Sequence, residues 1–137
     1  MFRDQPRHHK SGLEKIMYSH LIIRIYCMNC KPRIILEGEM FNISECTCCQ
    51  RIGLYYNNLL VGFNPQDFLA FTRSFCRIDF AACSVRFPSG KEHIVVNTCH
   101  RDIQFNFTRE EFEELKDILQ QAMVLLEARQ VLKQNTI

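Results

Sequence analysis

The sequence predicts an α+β fold: an antiparallel sheet built from two tandem β-hairpin–helix repeats, with both helices on one face. Three observations carry that expectation. Residues 52–75, IGLYYNNLLVGFNPQDFLAFTRSF, read as a hairpin feeding a helix. The same order returns forty-four residues on at 96–119, VNTCHRDIQFNFTREEFEELKDIL. In each hairpin the apolar residues alternate, so one face is greasy and the other wet, as in a sheet packed on helices.

In the first repeat Asn57 and Asn58 tolerate positive φ and signal a two-residue type I′ turn. That turn pairs Tyr56 with Leu59, Leu54 with Val61 and Ile52 with Phe63, all on one face. In the second repeat the turn falls on Arg101 and Asp102. Val96, Thr98, His100, Ile103, Phe105 and Phe107 then share the equivalent face. Each hairpin ends at a helix start: Asn64 before Pro65 in one, Thr108 with Glu111 in the other. Phe68 and Phe112, Phe71 and Leu115, Phe75 and Leu119 fall at matching places in the two helices.

Residues 1–27 show no capped helix and no alternation, and are expected to be a disordered or mis-annotated extension ahead of a start at Met28. Residues 28–137 are expected to form one domain of two pseudo-repeats, about 30–77 and 80–133. Within it, strands are expected at 33–36, 40–45, 82–87, 92–98 and 102–107, beside the first hairpin. The last helix, from about 109 to 133, carries Phe112, Leu115, Leu119, Ala122 and Leu126 at steps of three and four, widened by Ile118, Leu125 and Leu132. At 1.5 Å per residue it is roughly 35 Å long. It outruns a strand of roughly 17–20 Å, so its end is expected either to pack on the N-terminal segment or to meet a second subunit in a homodimer through this C-terminal helix.

Composition narrows the function. There are 17 Lys and Arg against 15 Asp and Glu, but residues 1–33 hold seven of the bases and two of the acids. The remainder is slightly acidic, which argues against a nucleic-acid surface. The apolar run at 21–26 is interrupted by Arg24, lacks a cleavage site and is too short to span a bilayer. A cytoplasmic protein with reduced thiols is the expectation. No glycine-rich phosphate loop, nucleophile elbow or poised acid pair appears, so no catalytic residue is assigned and the chain reads as non-enzymatic.

Eight cysteines are many for such a chain. Cys46 and Cys49 are spaced so that both thiolates can reach one tetrahedral Zn²⁺ across a tight turn, and Cys27 and Cys30 repeat that spacing. With residues 1–27 set aside, the metal set becomes Cys30, Cys46, Cys49 and a fourth ligand. His93 is assigned there because it occupies in the second repeat the place of Cys49 in the first; Cys99 and His100 are the alternatives. Against zinc stands the tendency of cysteine to act as a small buried hydrophobe, which is also the reading for Cys76 and Cys83. Thiol–disulfide chemistry is the other reading. It is weakened because both pairs flank strands, not the helix N-terminus that lowers a thiol pKa.

The layout from Met28 onward resembles a family of uncharacterised small cytosolic proteins of Bacteroidetes-type bacteria. The residues that carry the resemblance are Cys30 and Lys31, Cys46 and Cys49, Leu54 with Asn57 and Asn58, and the run Phe107, Thr108, Glu110, Glu111, Phe112, Leu115. The resemblance implies one domain and the cysteine trio, and transfers no activity. The expected function is a binding or adaptor module, stapled by zinc through its cysteines. The alternative is a thiol-dependent redox or metal-handling protein.

Overall fold

The computed structural model describes residues 31–98 and 101–136. Its strands and helices follow in the order β1 (Pro32–Glu37), β2 (Phe41–Cys46), β3 (Ile52–Tyr56), β4 (Leu59–Phe63), α1 (Pro65–Cys76), α2 (Phe80–Cys83), β5 (Val85–Arg86), β6 (Glu92–Asn97), β7 (Gln104–Thr108) and α3 (Arg109–Gln134). The fold is α+β, all pairings are antiparallel, and a hairpin followed by a helix occurs twice. The strands fall into two sheets, β1-β2-β3-β4 and β5-β6-β7. The chain divides into two compact units between Phe68 and Leu69, within α1.

In the first unit the asparagine turn sets the register. Ile52 pairs with Phe63, Leu54 with Val61 and Tyr56 with Leu59; Asn57 takes a positive φ of 51° and Asn58 does not, so the two-residue loop is kept without the two left-handed residues of the expected type I′ turn. Ile43, Ile52, Leu54, Tyr56 and Phe68 are buried. The Phe63 ring meets Phe68 edge-on at 5.7 Å. β1 carries a bulge between Ile34 and Leu36. The Arg33 guanidinium pairs with the Glu45 carboxylate across the β1–β2 ladder.

The second unit repeats the scheme with one change of register. Residue spacing predicts Val96 opposite Phe107, but Ile94 is opposite Phe107 and Val96 opposite Phe105. The loop is therefore wider than the two residues Arg101 and Asp102. A slip of two residues keeps every side chain on its face, whereas a slip of one would invert them. Ile94 and Phe107 stay buried, while Ile103 is exposed. His100 lies outside the described residues. A helix and a two-residue strand replace the single strand expected over 82–87. The cause is local: the Asp79 side chain accepts from the Ala81 N–H at 3.1 Å and caps a helical turn through Cys83.

The two helix starts are chemically alike. Asn64 Oδ1 accepts from the Asp67 N–H at 2.7 Å and its Nδ2 donates to Asp67 Oδ2 at 2.8 Å. Thr108 Oγ1 accepts from the Glu111 N–H at 3.3 Å, and Glu111 Oε1 accepts from the Thr108 N–H at 3.1 Å, a complete capping box. Behind the second cap lies a phenylalanine cluster. Phe75 sits 4.9 Å from Phe112 and 5.8 Å from Phe107, and Phe80 is 5.7 Å from Phe112. Leu115, Ile118, Leu119 and Ala122 of α3 are buried as well. No helix among the described residues is long and apolar enough to cross a membrane.

Candidate functional site: the cysteine hairpin loop

β2 and β3 run antiparallel, and the chain between them holds Thr47, Cys48, Cys49 and Gln50. The Cys46 N–H donates to the Arg51 carbonyl at 2.8 Å and the Gln50 N–H to the Cys46 carbonyl at 2.8 Å, which closes the loop. Gln50 takes a left-handed φ of 63° to do so, a conformation that suits glycine better. The loop is also tied to the strand beside it. Thr47 donates through its N–H at 3.0 Å and its hydroxyl at 2.9 Å to the Lys31 carbonyl.

This geometry brings Cys46 and Cys49 together. The Cys49 N–H points at Cys46 Sγ, 3.4 Å away. Cys46 is 1% exposed, and Cys48 and Cys49 are exposed.

Cys30 precedes Lys31 and lies outside the described residues, as do Cys27, Cys99 and His100. His93 belongs to the second unit. Its ring stacks on Phe87 at 4.4 Å with an interplanar angle of 5°, and its Nδ1 is 2.9 Å from Asn106 Oδ1. Among the described residues no three His, Cys, Asp or Glu side chains are grouped to hold a metal ion.

The sequence reading did not single out Asn42 and Ser44. They share a face of β2 with Cys46, and all three are buried. Ser44 Oγ donates to Asn42 Oδ1 at 2.5 Å. A signal was present: polar residues alternate with Phe41 and Ile43, yet the strand is buried on both faces. Cys83, expected in the core, is exposed. Cys76 is part-buried, and burial pushes its thiol pKa up, a shift that the Lys116 ammonium and a hydrogen bond with Gln120 only partly offset.

The elements define a small α+β protein in which a hairpin followed by a helix occurs twice, with a cysteine-bearing loop between β2 and β3. The chain belongs to a family of unknown function (DUF6686), which it matches over residues 28–137. No curated protein and no solved structure matches it.

Proposed function

We propose that this protein is a non-enzymatic cytoplasmic binding module whose reduced form holds one zinc ion at the β2–β3 loop, through Cys46, Cys49 and Cys30. The observation that carries the reading is the Cys49 N–H directed at Cys46 Sγ. An amide donor to sulfur favours the thiolate form, and thiolates two residues apart on a tight loop suit a tetrahedral ion. Burial of Cys46 works in the same direction. An uncompensated thiolate is costly there, and a bound cation removes that cost. Zinc would supply structural closure, fixing the loop to the start of β1.

The test is zinc content and thermal stability of untagged full-length protein purified under reducing conditions. About one zinc per chain is expected, with loss of zinc and a lower Tm in Cys46→Ser and Cys49→Ser. Unchanged zinc content and Tm in both variants would overturn the reading.

The approach of the Cys49 N–H to Cys46 Sγ also suits a second reading, thiol–disulfide exchange, in which Cys46 and Cys49 become oxidised to a disulfide while a substrate disulfide is reduced to two thiols. This reading predicts a Cys49 that alkylates rapidly well below pH 8 in the reduced chain. Slow alkylation there removes it.

A further inference from the structure

α3 carries a buried apolar arc and, bordering it on one flank, an exposed one. Phe112, Leu115, Ile118, Leu119 and Ala122 are buried. Beyond them Val124, Leu125, Val131 and Leu132 are 63%, 38%, 54% and 68% exposed. At about 100° per residue, these four and Ala128 occupy an arc roughly 120° wide, centred about 140° from the buried one. Leu125 lies about 20° and Leu132 about 40° from Ile118, so they extend the core stripe outward as their spacing suggested and carry it into the exposed arc. The same outward side is acidic over the first half of the helix, where Glu110, Glu113, Glu114 and Asp117 are exposed.

We propose that the stripe from Val124 to Leu132 is a self-association surface, meeting the same stripe of a second copy in an antiparallel helix pair centred on Ala128. A two-fold pair makes the stripe its own complement: Val124 of each copy meets Leu132 of the other, and the small Ala128 lets the axes approach. Charge sets the direction. Antiparallel pairing about Ala128 sends the two acidic halves away from each other, whereas parallel pairing lays one on the other and is opposed by repulsion. Area sets the strength. The exposed apolar side chains offer roughly 400 Å² per copy, about half of what a standard interface buries on each partner. The dimer is accordingly weak and concentration-dependent. It is independent of the cysteine loop.

Sedimentation equilibrium of the full chain, from about 1 µM to about 1 mM, tests this. Monomer at the low end and dimer at the high end are expected. Leu132→Glu and Val124→Glu should each weaken association at least tenfold, with circular dichroism unchanged because both side chains face solvent. A photo-reactive side chain at Ala128 should cross-link the copies, and one at Asp117 should not. A monomer throughout the range, a dimer indifferent to both substitutions, or cross-linking from 117 as ready as from 128 would overturn the proposal.

Discussion

The two hairpins differ at their turns and agree at their faces. In the first, Asn57 adopts a left-handed conformation and fixes a two-residue turn, so every pairing follows from the position of the asparagines. In the second, the loop is wider and the register is displaced by two, yet Ile94, Val96, Phe105 and Phe107 still line up on one side. Turn chemistry determines register only where a residue such as asparagine makes one turn much cheaper than its neighbours. Burial determines the face in either case, since an even slip leaves the alternation intact.

The sharpest way to break the comparison is at the phenylalanines behind the two caps. Phe112→Ala should cost about 3–5 kcal/mol, because the ring is fully buried against Phe75 and Phe80. Phe68→Ala, at the matching position of the first repeat and equally buried, should fall in the same range of about 3–5 kcal/mol. Urea unfolding measures both. A small loss at one and a large loss at the other would show that the repeats share pattern and not energetics.

The caps come next. Asn64→Ala and Thr108→Ala each remove a side-chain acceptor from a helix N-terminus and should each cost about 1 kcal/mol. The measurement is again urea midpoint at unchanged slope. A loss confined to one variant would separate the two helix starts that sequence and geometry place side by side.

Much of this was legible in residue order because the signals were local and redundant. Asn64 with Pro65, and Thr108 with Glu111, each name a helix start twice over. The strand expected at 82–87 failed because Asp79, three residues upstream, supplied a cap that apolar alternation does not register. The candidate site was legible as spacing: residues 46 and 49 are brought together by the loop that their separation implies. What spacing could not convey was the buried polar pair Asn42 and Ser44 beside Cys46. Nor could it show that α3 turns a second apolar arc outward, since a step of three or four residues satisfies either side of a long helix.

Smaller effects sharpen the contrast between the cysteine loop and the rest. Gln50→Gly should stabilise the chain by about 0.5–1 kcal/mol, because glycine accepts the left-handed φ that strains glutamine. A loss instead would mean that the Gln50 side chain contributes contacts that outweigh the strain. At Cys76, burial holds the folded pKa above the ordinary 9.0. The unfolded chain then releases that proton first, so the contribution is intact below pH 9 and is lost as pH rises through the folded pKa. Cys76→Ala should flatten the stability–pH slope above pH 9, and in the native chain Cys76 should alkylate more slowly than the exposed Cys83. Equal rates would contradict that environment.

The most direct measurement is X-ray absorption at the zinc edge on reduced, full-length protein. The cysteine loop, with Cys30, predicts a shell of about three sulfurs at about 2.3 Å and one lighter ligand. A sample with no zinc edge, or a shell of nitrogen and oxygen alone, would contradict it.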